Sequence, residues 1–286
     1  MGFSASYCNI CGTQPDDNCY MLYMDNESCE CHTKECEACA YVMPEEDRDF
    51  MKNVRLIFED GTVSGVGEGN DWPGFAVILN DGTRVYSDIN LRGGDEKVGL
   101  MLHTVCFDLL NSVLLSKNIT YQQVFDWYYD NCEEDDFSWQ IFLKFDLGFV
   151  SQRQEQEYVL YKGEEWVTRR PDVLPPIPDL DPKAVGEHTT HPYVFEIVLL
   201  ELYITDVDTL FQLELTCRYF HHFLSSYQAQ CYLWKKVCML NHMIIDPTIC
   251  EQLKDWRKYA FLCQQHPNYR NRARIMGIID RIVNQF

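Results

Sequence analysis

The stretch Cys8-Asn9-Ile10-Cys11-Gly12 sets two thiols two residues apart, with a glycine behind the second to let the turn close. That knuckle spacing presents two sulfurs to one zinc ion. A second half-site is offered by MLHTVCFDLL, residues 101–110, where His103 and Cys106 stand three apart in an apolar segment of helical character. An imidazole and a thiol three positions apart share a helix face. Cys8, Cys11, His103 and Cys106 are therefore expected to form one zinc site that cross-links the N-terminus to a central helix. The competing reading makes His103 and Cys106 plain core residues.

Cys29, Cys31, Cys36 and Cys39 form a second cluster, with His32 beside them. Cys36-x-x-Cys39 is a half-site that Cys29 or Cys31 could complete. His32 competes for the fourth place, and Cys19 is a spare for either site. Free thiols and a redox dithiol are the alternatives, although a redox Cys-x-x-Cys normally follows a strand and opens a helix. Here the flanks are acidic and irregular. Either site, once filled by four protein ligands, leaves no position for a reactive water and would support folding, not catalysis.

The surrounding chain must position these ligands. Its 286 residues suffice for one large or two ordinary domains. An apolar fraction of 46%, with 16 Phe, 17 Tyr and 6 Trp, supplies a core and argues against global disorder. A formal charge of −20 repels phosphate backbones and makes nonspecific nucleic-acid binding a poor hypothesis. The charge is uneven: residues 1–60 hold 13 acids and 4 bases, residues 235–286 hold 9 bases and 4 acids. No apolar run reaches the ~20 residues of a membrane span, and MGFSASYCN lacks the features of a signal peptide. It resembles a myristoylation start with Ser6 at the expected offset, but one acyl chain anchors poorly. The expectation is an intracellular protein, cytoplasmic or nuclear, whose 14 cysteines stay reduced. Seven of them fall within the first 39 residues, which favours metal over disulfides.

Val54–Phe58, the turn Glu59-Asp60-Gly61 and Thr62–Val66 read as a hairpin, as do Ala76–Leu79 and Arg84–Tyr86 around Asn80-Asp81-Gly82. From about Val98 the apolar positions Leu102, Val105, Cys106, Leu109, Leu110 and Val113 predict a helix ending near Leu115. Thr120 with Gln123 predicts a capping box for a further helix running to about Asp130. The acidic run Glu133–Asp136 reads as a solvated loop. Residues 151–190, with DVLPPIPDLDP, read as a linker or surface strap.

Beyond it, Phe195, Val198, Leu199 and Leu202 mark one helical face, and Asp206-Val207-Asp208 caps a second helix with Leu210, Leu213 and Leu215. A third helix is expected from about Thr216 with Cys217, Phe220 and Phe223, and Trp234 lies in a further one. Residues 192–238 resemble an F-box: Pro192, Phe195-Glu196-Ile197, the Asp206–Asp208 turn, Leu210, Cys217-Arg218-Tyr219-Phe220 and Trp234-Lys235-Lys236. The usual Leu-Pro before the Glu-Ile is replaced by Val194-Phe195. The front half is similar to that of a group of fungal F-box proteins, through Cys8–Gly12, Val54–Gly67 and His103–Leu110. Large DNA viruses also encode F-box-like and Cys-rich proteins.

The fold expected is α+β. A zinc-binding module with a small antiparallel sheet and helices (residues 1–150) precedes the strap (151–190), an all-helical F-box-like domain (191–240) and a basic helical tail (241–286). The resemblance implies binding to the adaptor Skp1 of a cullin-based ubiquitin ligase, with an unknown protein substrate recruited by the N-terminal module. Pro192, Phe195, Ile197, Leu199, Leu202, Val207, Leu210, Leu213, Leu215 and Trp234 would then supply partner contacts or the domain's own core. The alternative is a scaffolding protein, for example a virion component, in a larger assembly. Catalysis is not expected: His188, His191, His221 and His222 are available as bases, yet no nucleophile elbow and no HExxH accompany them.

Overall fold

The run from Asn53 to Phe58 has the two-residue period of a strand, and both of its faces are put to use. In the computed structural model, which describes residues 8–13, 20–23, 40–69, 76–86, 99–133, 142–143, 159–160, 162–178, 197, 200, 204–245 and 248–286, it is β3 of a five-stranded antiparallel sheet. The chain divides into two units, one formed by Met1–Arg170 with Arg274–Phe286 and the other by Pro171–Ala273.

In the first unit β1 (Tyr20–Tyr23) and β2 (Ala40–Val42) precede helix α1 (Glu45–Lys52), whose first turn carries Glu45, Glu46 and Asp47. Acids there complement the helix dipole. After β3 come β4 (Gly67–Gly69), β5 (Ala76–Leu79), β6 (Arg84–Tyr86) and β7 (Gly99–His103), in the spatial order β6-β5-β4-β3-β7. The β3–β7 register pairs Leu56 with Met101 and Ile57 with Leu100. Leu56 and Met101 join Val54, Val77 and Val85 in one buried cluster. Ile57, Leu100 and Leu102 enter another, together with helices α2 (Thr104–Lys117) and α3 (Tyr121–Asn131). Alternate residues thus reach opposite faces, as the pleat requires. The same unit contains β8 (Cys132–Glu133) paired with β9 (Phe142–Leu143), and β10 (Val159–Leu160) parallel to β1.

Two expectations change here. The helix placed from Val98 begins at Thr104, because Gly99–His103 is a strand buried at every position. A short run apolar on both faces carries no period that separates strand from helix. The return strand placed at Thr62–Val66 is reduced to a bridge between Val63 and Ile57, and pairing resumes at Gly67. The capping box is present as read: Gln123 N donates to Thr120 Oγ1 at 3.2 Å, and Gln123 Oε1 accepts from Thr120 N at 2.9 Å.

Gly67 lies tight against its neighbour strand. A Cβ there would sit 2.8 Å from the Ile78 carbonyl oxygen and 2.9 Å from Val77 Cγ1. Gly67→Ala is expected to cost about 1–3 kcal/mol, since backbone on one side leaves little room to yield. A thermal melt of the variant checks it; an unchanged midpoint would mean that β4 can shift.

Asp47, buried on α1, holds the end of the unit's main chain segment. It accepts from Arg169 Nη1 at 2.7 Å and from the Arg170 amide at 2.9 Å. The first stretch of this unit ends just after this clamp, at Arg170. From Arg274 onward the basic C-terminal stretch clusters with the first unit, where Ile275, Met276, Ile278, Ile279, Ile282 and Val283 are buried.

The second unit has only helices among its described residues: α4 (Val207–Thr216), α5 (Arg218–Leu224), a π-helical turn (Ala229–Trp234) leading into α6 (Lys235–Leu240), α7 (Ile249–Gln252), α8 (Trp256–Gln265) and the start of α9 (Pro267–Val283). Asp206 caps α4 by accepting from the Thr209 amide at 2.7 Å, and Asp255 caps α8 through the Lys258 amide at 2.9 Å. Leu174 and Ile177 of the proline-rich segment pack against this unit's core. Arg272, buried, closes it by donating to the carbonyls of His242 at 2.6 Å and Pro171 at 3.2 Å. Among the described residues no helix is long and apolar enough to cross a membrane.

Candidate metal centre

β7 lies at the edge of its sheet, and an unpaired edge is a liability unless something covers it. The segment Cys8–Thr13 does so. Asn9 N donates to the Met101 carbonyl at 2.8 Å, Met101 N donates back to Asn9 Oδ1 at 2.9 Å, and His103 N donates to Cys8 Sγ at 3.3 Å. The knuckle closes on itself through Gly12 N to the Cys8 carbonyl, 2.8 Å, and Cys8 N to the Thr13 carbonyl, 2.9 Å. Gly12 has φ 68°, the left-handed conformation that glycine adopts without steric cost. Tyr128 of α3 donates its hydroxyl to the Asn9 carbonyl.

This seating brings Cys8 and Cys11 beside His103, the last residue of β7, and Cys106, in the first turn of α2. All four are fully buried, and their ligand atoms lie within 4.8 Å of one another. Cys11 Sγ is 3.2 Å from His103 Nδ1. A tetrahedron of sulfurs ~2.3 Å from a zinc ion has edges of about 3.8 Å, between those two distances. The group can hold a metal ion. Its members come together as expected, but through the turn from strand to helix and not along one helix face.

Electrostatics favour a cation at the centre. Burial disfavours charge on Cys11, yet hydrogen bonds from Cys106 and Cys8 and the adjoining imidazole bring its thiol well below the ordinary range. Burial also works against charge on His103, and the Cys11 and Cys8 sulfurs outweigh it, pushing the imidazole up to about 10. Cys106 is driven the other way by burial and by the same two sulfurs. Three sulfurs packed in an apolar interior repel one another as thiolates unless positive charge sits among them. A divalent ion bound by all four ligands would supply that charge, taking the place of any proton on the imidazole nitrogen that faces the sulfurs.

The surroundings bind the ligands in turn. Thr13 Oγ1 lies 2.9 Å from Cys11 Sγ, and the Phe50 ring stands 5.0 Å from that of His103. Arg274 Nη1 donates to the Cys11 carbonyl at 2.7 Å. Sequence reading missed Asn9, Thr13 and Arg274; Asn9 sits inside the motif, whereas nothing in the sequence ties Arg274 to it. Among the described residues His103 Nε2 is buried without a hydrogen-bond partner, while Nδ1 is the nitrogen that faces Cys11 Sγ.

Cys29, Cys31, Cys36 and Cys39, with Cys19 and His32, lie outside the described residues, as do Pro192, Phe195, Leu199 and Leu202. Of the other residues assigned to a partner face or a core, Ile197, Val207, Leu210 and Trp234 are buried and Leu213 is half-buried. Leu215 is 86% exposed. No protein-family model, curated protein or solved structure matches the chain.

Proposed function

We propose that the chain is a zinc-stapled, F-box-type adaptor. Its helical unit docks on a Skp1-like subunit, and its metal-centred unit offers a surface to a protein substrate of a cullin-based ubiquitin ligase. The observation that carries this is the sorting of apolar residues in the α4–α5 hairpin. Val207, Leu210, Phe223 and Leu224 are sealed inside, while Leu215 and Tyr219, on either side of the one-residue joint at Cys217, stand 86% and 48% exposed. Large apolar side chains left exposed on a surface suit a protein partner. The capped entry at Asp206 and the interior Trp234 agree with the order of parts in an F-box-like module.

Zinc is the ion proposed for the centre. Three thiols and an imidazole are a borderline-soft donor set, and four protein ligands in a buried site suit a structural role. The first unit would then be a rigid binding platform and the protein not an enzyme.

Purified full-length chain, loaded with zinc, is expected to retain purified Skp1 in a pull-down. A Leu215→Asp, Tyr219→Asp double variant should bind at least ~30-fold more weakly, the loss expected for an interface anchor. These positions leave the interior intact, whereas Leu210→Asp would put a charge at a fully buried site. A folded, metal-loaded wild type that ignores Skp1 would sink the adaptor reading and favour a scaffold.

A further inference from the structure

The Cys11 carbonyl belongs to the knuckle, and a partner for it comes from far along the chain: Arg274 stands 263 positions away in sequence and donates Nη1 to it at 2.7 Å. Arg274 begins the part of α9 that belongs to the first unit. The residues after it, Ile275, Met276, Ile278, Ile279, Ile282 and Val283, share one buried cluster with Cys8, Ile10 and Cys11. Ile10, fully buried, lies between the two cysteine ligands, so its place in that cluster depends on the closed knuckle. Cys8–Thr13 is too short to hold its own shape by burial alone. Ligation of Cys8 and Cys11 would fix both the Ile10 side chain and the direction of the Cys11 carbonyl. Another polar tether, from Lys117 Nζ to Asn284 Oδ1 just past the helix at 2.9 Å, is exposed and does not involve the knuckle.

We propose that Arg274 is a positioning residue that couples the metal centre to the C-terminal helix, so that zinc binding and docking of residues 274–286 strengthen each other. The helix is then a metal-dependent latch: a chain that loses its zinc loosens the helix and bares the apolar face that Ile275, Ile279 and Ile282 now bury. Coupling of binding equilibria is reciprocal, and undocking the helix must weaken the metal by the same factor. The inference rests on the metal centre and is independent of adaptor docking.

The test uses the full chain with its zinc content measured. Hydrogen exchange of amides 275–283 is followed with zinc bound and after chelation, with Trp256–Gln265 of the second unit as the internal reference. Zinc release into a chromogenic chelator is timed for the wild type, Arg274→Ala, Arg274→Lys and Lys117→Ala. Chelation is expected to speed exchange in 275–283 at least ~10-fold and to leave the reference helix unchanged. Arg274→Ala should release zinc about tenfold faster, the loss of one hydrogen bond from a charged donor. Arg274→Lys should recover much of that, and Lys117→Ala should stay within about twofold of the wild type. If Arg274→Ala does not fold, the wild-type exchange comparison decides alone. Equal exchange with and without zinc, or wild-type release from a folded Arg274→Ala, overturns the proposal. A chain that holds less than one zinc after reconstitution removes the metal centre and this inference together, whatever the Skp1 pull-down reports.

Discussion

Chelating zinc from the full chain is expected to lower the unfolding midpoint of the first unit by at least ~10 °C. Structural zinc sites of this ligand class bind with apparent free energies of about 10–16 kcal/mol, while whole domains are stable by only ~5–15 kcal/mol. The first unit has a real core of its own, so part of its structure survives without metal. Even ~5 kcal/mol, at ~2–4 °C per kcal/mol for a unit of this size, gives a shift of about 10–20 °C. The damage should start at the edge of the sheet. Without a metal the knuckle would keep only its own two backbone hydrogen bonds, and the Asn9 contacts that cover Met101 on β7 should loosen first. Cys11→Ser should reproduce the effect and cannot be rescued by added zinc, whereas Cys217→Ser, at an exposed thiol far along the chain, should leave the midpoint alone. Acidification acts in the same direction, because protons compete with the ion for thiolate sulfur. A chelated chain that melts within ~2 °C of the loaded one would show that the four residues are core and not a staple.

That Cys8, Cys11, His103 and Cys106 could come together was legible in the sequence, but the geometry that brings them together was not. Cys-x-x-Cys-Gly specifies a local turn, and the turn is there, with Gly12 in the conformation the motif needs. His103 and Cys106 were singled out on the premise of a shared helix face. Instead, the pairing of Val54 with His103 ends β7 where α2 begins, and the chain's change of direction swings the imidazole and the thiol toward the same point. Leu100, Met101 and Leu102 are buried on both sides of the sheet, so hydrophobic period could not separate strand from helix there. The contacts around the ligands were beyond reach for a different reason. Asn9 pairing with Met101 and Arg274 with Cys11 are non-local contacts, set by the folded sheet and by the return of the C-terminal helix, and no residue spacing encodes them.

In the helical unit local chemistry was the better guide. Asp206 and Thr209 are three apart, and their cap forms as the sequence suggests. Side-chain destinations were less legible. Leu213 and Leu215 lie in the same leucine-rich run, yet one is half-buried and the other almost wholly exposed. α4 buries Val207, Leu210 and Glu214, so its inward face is set partly by a carboxylate. Glu214 is held by Arg257 of α8 at 2.6 Å and by His221 of α5 at 2.9 Å. Leucine spacing alone does not find Glu214, because a buried acid looks like a surface residue until its partners from other helices are known.

Trp234→Ala is expected to remove most of the second unit's stability while the first unit keeps its metal. The indole is fully buried in the core that contains Val207, Leu210, Phe223 and Leu233, with the Phe211 ring 5.0 Å away. Its Nε1 donates to the Leu224 carbonyl at 2.8 Å, tying the π-helical turn to the end of α5. Truncation of a buried aromatic costs about 3–5 kcal/mol, and the orphaned carbonyl adds ~1–3 kcal/mol if water cannot reach it. For a unit of about a hundred residues, ~4 kcal/mol corresponds to a midpoint roughly 15–30 °C lower. Trp234→Phe keeps much of the volume and loses the hydrogen bond, so its loss should be near ~1–2 kcal/mol. The measurement is hydrogen exchange resolved by segment, together with zinc content. Fast exchange in Val207–Leu240 and Trp256–Gln265, with one zinc still bound, is the expected pattern. Two results would contradict it: a Trp234→Ala variant within ~1 kcal/mol of the wild type, which would mean that the core can close over the gap, or loss of zinc along with the helices, which would mean that the two units do not stand separately.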